Sequence, residues 1–259
     1  MVFRKRHPSA DDVMPAGQFV AGVLSALEAA ATPGVNLLEL DRIASGMIAD
    51  AGATSCYVDY HPSFGGSPFG KVLCTSVNDA VLHGLPRDQV LAPGDLLSVD
   101  FAVSLNGWVA DSALSVVVGD GADADRQLIA ATREALQEGI NQAIPGNRVG
   151  DISAAIGVVG KDYGYLINTD FGGHGVGRTM HEDPSIPNDG TPGTGPKLVP
   201  GMALAIEPWF MHTTDEIVTD EDGWTLRSVD GSRGAHSEHT VVVTKDGPVI
   251  VTRRHDEDF

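Results

Sequence analysis

The chain has 259 residues, 42% of them hydrophobic, which is enough to build the core of one large α/β domain or of two small domains. Its cysteines, Cys56 and Cys74, are too few to suggest a disulfide-stapled secreted scaffold. The 17 basic residues are outnumbered by 35 acidic ones, and this net charge of -18 disfavours nucleic acid and anionic membranes as partners, because both require clustered lysine and arginine.

The N-terminal residues loosely resemble a signal peptide, because basic residues at 4–6 precede an apolar stretch. Asp11, Asp12 and Pro15 interrupt that stretch, however, and residues 19–27 show the periodicity of an amphipathic helix. No part of the chain approaches the roughly 20 consecutive apolar residues of a membrane span. We therefore expect a cytoplasmic protein that does not bind membranes.

Hydrophobic periodicity and the positions of glycine and proline predict the same order of elements in both halves of the chain. The first half predicts helices at about 11–31 and 36–52, an irregular loop at about 57–71, and strands at about 72–77, 96–103 and 108–118. The second half predicts helices at about 123–143 and 147–163, a Gly/Pro-rich segment at about 171–201, and strands at about 202–207, 224–229, 238–244 and 249–253. We therefore expect an α+β fold with helices on one face of a sheet, in a single domain over residues 1–259 with pseudo-repeat halves at about 11–120 and 121–255.

The most informative local feature is a pair of acidic residues on either side of the Asn106-Gly107 dipeptide. Asn-Gly between two apolar runs is the strongest short-range signal for a β-hairpin, and a two-residue turn makes Asp100 and Asp111 diagonal neighbours on one face. Two carboxylates within an apolar hairpin repel each other and lose hydration, which a cation between them would offset. The alternative is that both face water on an exposed sheet.

Three further segments combine possible metal ligands with glycine or apolar runs. His174 and His181 lie in a glycine-rich loop at 171–184, which lacks both the G-K-S/T sequence of a phosphate-binding loop and a dinucleotide fingerprint. Two surface histidines in a flexible loop are the alternative. Glu207 ends an apolar run just before Pro208, and Glu238 opens another, although each alone is also typical of a charge at a strand end.

The acidic hairpin and these three segments together supply four carboxylates and one imidazole as candidate ligands. That set suits divalent Mn, Fe, Co or Zn, whereas a calcium site is less suitable because histidine is a poor calcium ligand. Five ligands, several of which can bridge, predict two ions about 3.5–4 Å apart. The predicted ligands are Asp100, Asp111, His174, Glu207 and Glu238.

The order and spacing of these motifs resemble the type I methionine aminopeptidases, which have the pita-bread metallopeptidase fold. The resemblance covers about residues 11–251 and implies two pseudo-symmetric αβ halves around a central antiparallel sheet. It also implies a metal-dependent hydrolase that removes the initiator methionine from nascent proteins and peptides with a small second residue. The matching segments are 74–86 (CTSVNDAVLHGLP), Asp100, Gly107–Ser112, Gly173–Gly177, His181-Glu182, Ile206–Pro208 and Glu238–Thr240.

The resemblance implies a division of labour among the five ligands. Asp100 would chelate one ion, and His174 and Glu207 would hold the other. Asp111 and Glu238 would bridge both ions, and Glu238 would also act as the general base toward water.

Two further histidines and a side-chain pocket are implied in the same way. His83 would lie beside the N-terminus of the substrate, and His181 would contact the scissile amide and help to stabilise the tetrahedral intermediate. Apolar, sulfur-containing and aromatic walls suit a thioether, although ordinary core packing is the alternative for these side chains. The candidates for the methionine pocket are Cys56, Phe69, Cys74, Met180 and Trp224.

The chain also departs from the family pattern. Met180 stands where an aromatic residue is common, the segment at 60–70 is longer than usual, and His236-Ser237 replaces a glutamine and an aromatic residue. These departures bear on how strictly methionine is preferred, and none removes a metal ligand. A second reading is a proline-directed aminopeptidase or dipeptidase of the same fold, although such relatives usually have a large N-terminal domain. A non-catalytic pita-bread protein that binds peptides is a third reading. We expect a monomer that acts on N-terminal peptides and nascent chains.

Overall fold

The structure is a computed structural model that describes residues 8–62, 67–255 and 257. The basic residues at 4–6 lie outside this part of the chain. Within it, four helices are formed: α1 (Ala10–Ala30), α2 (Leu37–Ala51), α3 (Asp123–Asn141) and α4 (Val149–Tyr163). The strands of the same part are β1 (Thr54–Ser55), β2 (Cys74–Val77), β3 (Ala80–Leu82), β4 (Leu96–Leu105), β5 (Trp108–Val117), β6 (Gly173–Gly175), β7 (Glu182–Ile186), β8 (Ala203–Ile206), β9 (Trp209–Met211), β10 (Ile217–Thr219), β11 (Leu226–Ser228), β12 (Gly234–His236), β13 (Glu238–Thr244) and β14 (Gly247–Ile250).

Nine of these strands form one antiparallel sheet. Its main path runs in the order β1-β4-β5-β13-β8-β6-β7, with β2 paired to β4 and β14 paired to β13. The sheet joins strands that are far apart in sequence, since β5 pairs with β13. The combination of this sheet with the helices confirms the predicted α+β class.

The core occupies both faces of the sheet, because alternate residues of each strand face opposite sides. Val241 and Val243 of β13 pack with residues of α3 and α4, whereas Val242 belongs to a cluster on the other face. Val99 and Phe101 of β4 pack in the same way with α1 and α2. The helices therefore cover one face, as predicted, and the opposite face is available for a site.

Two strands arise where the sequence predicts only a Gly/Pro-rich segment, at 171–201. These are β6 and β7. The sequence does not indicate β6 because its glycines give no alternation of apolar and polar side chains. A Cβ on Gly173 would lie 2.4 Å from the carbonyl oxygen of Ala205, and one on Gly175 would lie 2.2 Å from that of Asp183. The close approach of the neighbouring backbones therefore requires glycine at both positions.

Helix α1 is long and apolar enough to cross a membrane when judged by length and composition alone. Its apolar side belongs to the protein core, however, since Val20, Leu24 and Leu27 are fully buried in the cluster shared with β4. Ser9 caps the helix, and Asp12 completes a capping box. We interpret α1 as a core helix.

Substitutions at two glycines of α1 test how closely this helix approaches the backbone of Val251. A Cβ on Gly17 would lie 2.2 Å from the carbonyl oxygen of Val251, whereas one on Gly22 of the same helix would meet nothing within 4 Å. We expect Gly17→Ala to lower the free energy of unfolding by about 1–3 kcal/mol through overpacking. Gly22→Ala should raise it by about 0.5–1 kcal/mol. Urea unfolding followed by circular dichroism measures both, and effects of the same sign would contradict the close contact.

Candidate active site

The hairpin formed by β4 and β5 places two acidic residues close together. Asp111 lies opposite Ala102 and Asp100 lies opposite Ala113, so the two carboxylates are diagonal neighbours, as the two-residue turn predicts. Asn106 has a φ of 55°, the left-handed conformation that this turn requires. Asp111 is 4% exposed and Asp100 is partly buried, so the alternative in which both face water is wrong.

The neighbouring strands bring three further ligand candidates to this hairpin. β13 pairs with β5 and begins with Glu238, β8 pairs with β13 and ends just before Glu207, and β6 pairs with β8 and contains His174. Ligand atoms of Asp111, His174 and Glu238 all lie within 4.8 Å of one another. The Nε2 atom of His174 is also 3.5 Å from Oε1 of Glu207. Long-range strand pairing therefore gathers residues as far apart in sequence as Asp100 and Glu238.

The four carboxylates require compensating positive charge. Burial raises the pKa of Asp100 to about 6, and burial together with the neighbouring carboxylates raises the pKa values of Asp111, Glu207 and Glu238 well above their ordinary range. Oε1 of Glu238 is buried without a hydrogen-bond partner in the described part of the chain. None of the described residues that line the adjacent cavity is lysine or arginine. This donor set fits divalent metal ions, which would neutralise the acids.

Three imidazoles border the carboxylates, and His83 and His174 are partly buried, whereas His181 is exposed. Burial, together with the nearby His181, lowers the pKa values of His83 and His174 to about 4, and desolvation of its ring lowers that of His181. The His181 ring lies 4.3 Å from the His174 ring, and the His83 ring packs edge-on against Phe171 at 5.2 Å. Neutral imidazoles can act as metal ligands or exchange hydrogen bonds with a substrate.

A cavity of about 270 Å³ opens beside this cluster. The Phe69 and Trp224 rings meet edge-to-face at 5.1 Å in its wall. Cys74 and Met180 are buried and also line it. The cavity therefore combines aromatic and sulfur-containing walls with a polar end, and four of the five side chains predicted for a pocket lie along it.

The fifth candidate, Cys56, does not line the cavity. Within the described residues the cavity lining includes Tyr57 and Tyr60 but not Cys56, which packs at the edge of the apolar cluster behind it. Cys56 and Tyr57 are neighbours in a bend that follows β1. The residue next to the predicted Cys56 lines the cavity in its place, and the unusually long segment at 60–70 makes this assignment uncertain from the sequence. The phenol of Tyr57 donates a hydrogen bond to Oδ1 of Asp100 at 2.6 Å.

A second layer of side chains holds the ligand-bearing strands. Oγ1 of Thr240 accepts a hydrogen bond from the Asp111 amide at 2.9 Å and donates one to its carbonyl at 2.8 Å. The Ser112 hydroxyl donates to the carbonyl of Glu238 at 2.5 Å. His236, one of the departures from the family pattern, is buried with its Nε2 atom 3.8 Å from Oε2 of Glu207. These contacts fix the backbone from which the acids project.

Comparisons with known proteins agree with this geometry. The model of metallopeptidase family M24 matches residues 12–245. Methionine aminopeptidase 1 of Mycobacterium tuberculosis is 46% identical over 251 residues, which are 93% of this chain and 91% of that protein. The methionine aminopeptidase of Aquifex aeolicus is 41% identical over 245 residues, which are 93% of this chain and 95% of that protein.

Solved structures are similar in fold. A methionine aminopeptidase from Thermotoga maritima matches with a TM-score of 0.91 and 36% identity over 96% of this chain and 99% of that one. An Xaa-Pro dipeptidase from Bacillus anthracis matches with a TM-score of 0.74 and 22% identity over 95% of this chain and 61% of that one. The second likeness concerns the fold alone. Together they confirm the predicted pita-bread fold.

Proposed function

The chain belongs to metallopeptidase family M24, and we propose that it is a methionyl aminopeptidase. In this proposal it removes the initiator methionine from nascent proteins and from peptides with a small second residue. One observation carries the proposal: an apolar cavity with aromatic and sulfur-containing walls ends at the buried cluster of Asp111, His174 and Glu238. Such a site can hold a thioether side chain while the adjoining peptide bond lies at the acids.

The site binds divalent metal, and we propose that it holds two ions of Co, Mn, Fe or Zn. Asp100 would hold one ion and His174 and Glu207 the other, with Asp111 and Glu238 shared between them. When bound, such ions polarise a carbonyl and lower the pKa of water. The buried Oε1 atom of Glu238, which has no hydrogen-bond partner among the described residues, supports its place in this set.

Three residues would act on the substrate directly. Glu238 would take a proton from the attacking water and return it to the leaving amine. His181 would contact the scissile amide and donate a hydrogen bond to its carbonyl oxygen, which becomes negative in the tetrahedral intermediate. His83 would bind near the substrate N-terminus. Burial keeps the pKa of His83 at about 4, so it would act at neutral pH through hydrogen bonds rather than through charge.

The methionine side chain would occupy the cavity beside these residues. Phe69 and Trp224 would form its aromatic wall, and Cys74 and Met180 its sulfur-containing wall. The flexible thioether of Met180 suits a linear side chain. Cys56 would contribute from behind this wall by packing against the same apolar cluster.

We extend the proposal to the setting in which the enzyme works. Residues 1–259 would act as one catalytic domain with halves at about 11–120 and 121–255, as a monomer in the cytoplasm, where the thiols of Cys56 and Cys74 stay reduced. Its partners would be N-terminal peptides and nascent chains. The net charge of -18 would keep the protein from binding nucleic acid, including ribosomal RNA.

A substrate panel tests the proposed function. Metal-free protein would be reconstituted separately with Mn, Co, Fe and Zn, and its kcat/KM measured on Met-Ala-Ser and on an Ala-Pro peptide. We expect at least one metal to give hydrolysis of Met-Ala-Ser at about 10²-fold or more above the Ala-Pro peptide, because the pocket and not the second residue would supply most of the selectivity. Preference for the Ala-Pro peptide would instead identify a proline-directed enzyme. Metal binding without hydrolysis of either peptide would identify a non-catalytic binding protein.

A further inference from the structure

Tyr57 lies among the predicted ligands and has no role in the chemistry described above. It follows β1, which pairs with β4, the strand that contains Asp100. The amide of its neighbour Cys56 donates a hydrogen bond to the carbonyl of Ala102 at 3.2 Å, and the amide of Tyr57 donates to Oγ of Ser55 at 3.1 Å. The backbone of Tyr57 is therefore fixed relative to the acidic hairpin.

The hydroxyl group of Tyr57 distinguishes between the two acids of the hairpin. It lies 2.6 Å from Oδ1 of Asp100 and 3.4 Å from Oδ1 of Asp111. A phenol has one proton to donate, and the shorter distance assigns that proton to Asp100. The carboxylate of Asp111 does not receive this proton, and its oxygens remain available to an ion held with His174 and Glu238.

Packing does not account for this hydroxyl group. The Tyr57 ring contacts the Phe69 ring, with 5.6 Å between centroids, and the residue is only 6% exposed. Phenylalanine would make the same ring contact without bringing a polar atom into an apolar wall. A buried hydroxyl group requires a partner, and the described partners of this one are the carboxylates of Asp100 and Asp111.

The hydrogen bond is compatible with metal binding by Asp100. An ionised carboxylate has about four lone-pair sites, so one can accept from Tyr57 while the others remain available to an ion. Asp100 is not part of the group in which Asp111, His174 and Glu238 have ligand atoms within 4.8 Å of one another. A contact that fixes the carboxylate of Asp100 therefore determines how its oxygens are oriented toward an ion bound by the other three residues.

We propose that Tyr57 is a positioning residue of the metal centre, whose hydroxyl group orients the carboxylate of Asp100 for metal binding. The same side chain joins the metal centre to the apolar pocket, because its ring packs on Phe69 while its hydroxyl group binds the acid. The inference rests on the proposed function for the role of Asp100 as a ligand. Its test measures metal binding directly and needs no turnover.

Calorimetric titration of the metal-free protein with Mn(II) tests this inference. The binding event lost in Asp100→Asn identifies the ion that Asp100 holds. Tyr57→Phe should weaken that event by about 10–100-fold, the usual effect of losing a hydrogen bond to a metal ligand. The visible absorption spectrum of the Co(II)-loaded variant should change as well, because the ligand geometry changes. In the Asp100→Asn background, Tyr57→Phe should have no further effect on the remaining binding.

Tyr163→Phe is the matched control. Its hydroxyl group also donates to a carboxylate, Oε2 of Glu134 at 2.7 Å, but outside the cavity. The control should bind Mn(II) with wild-type affinity. Wild-type affinity and an unchanged Co(II) spectrum in Tyr57→Phe would overturn the inference, as would a lower unfolding temperature with no change in metal binding. Absence of divalent metal binding in the wild-type protein would instead refute the proposed metal centre itself.

Discussion

Asp111→Asn is expected to lose metal and turnover while making the metal-free protein more stable. A neutral amide cannot be shared between two cations as a carboxylate can, and bound metal provides several kcal/mol of transition-state stabilisation. At about 1.4 kcal/mol for each factor of ten, kcat/KM should fall by roughly 10³-fold or more. Burial and the neighbouring Asp100 and Glu207 already raise the pKa of Asp111, so an ionised acid here destabilises the metal-free fold. Removing that charge should therefore raise the unfolding temperature.

Metal analysis after dialysis and calorimetric unfolding in the presence of a chelator measure both effects. Asp125→Asn is a suitable control, because Asp125 is also buried but pairs with Arg233 at 2.5 Å outside the cavity. Breaking that pair leaves a guanidinium without its partner, so the control should keep its metal and unfold at a lower temperature. Wild-type metal content in Asp111→Asn would contradict the proposed ligand set. A lower unfolding temperature in that variant would contradict the account of charge repulsion.

The parts of the fold that could be predicted from the sequence are those that local signals determine. Asn106 and Gly107 mark a two-residue turn, and such a turn leaves only one register for β4 and β5, which in turn places Asp100 beside Asp111. The helices show apolar periodicity and capping residues such as Ser9. Both kinds of signal lie within a few residues of the structure that they specify.

Long-range pairing could not be predicted in this way. The contact of β13 with β5, and of β8 with β13, depends on how the two halves of the core pack, and no local pattern specifies which distant strands meet. The residues themselves suggested only that Glu207 and Glu238 each stand at the end of an apolar run. Their convergence on one site is inferred from the metal-binding chemistry of the combined set and from the family resemblance, and the structure brings both beside His174.

The exchange of Cys56 for Tyr57 has a similar physical cause. Both residues lie in a bend that follows β1, where side chains do not keep the two-face alternation of a strand, so counting positions does not predict which residue enters the cavity. The long segment at 60–70 offered no fixed point from which to count. The pairing of Ser55 with Val103, and the hydrogen bond from the Cys56 amide to the Ala102 carbonyl, attach this bend to the strand that contains Asp100.

His83→Asn is expected to lower kcat by about 10²–10⁴-fold while leaving the metal content near the wild-type value. His83 lines the cavity, but it is not part of the group formed by Asp111, His174 and Glu238, so its loss should affect the substrate and the transition state rather than an ion. Asparagine is the preferred replacement because His83 has a φ of 54°, and asparagine adopts this left-handed conformation more readily than alanine. The fold should therefore survive the substitution.

The rigid setting of His83 is the reason to expect a large effect. The next residue, Gly84, accepts a hydrogen bond from the amide of Thr75 at 2.6 Å, and its own amide donates to Oγ of Ser76 at 3.0 Å. The backbone is thereby tied to β2, and the imidazole packs edge-on against Phe171. A group held in this way contributes to catalysis without reorganisation, and a shorter side chain cannot reach the same position.

Steady-state kinetics and metal analysis of His83→Asn would be compared with those of His212→Asn. His212 lies outside the cavity, so this control should leave both the kinetics and the metal content unchanged. Loss of metal in His83→Asn, or a change in KM alone, would show that His83 does not act on the transition state.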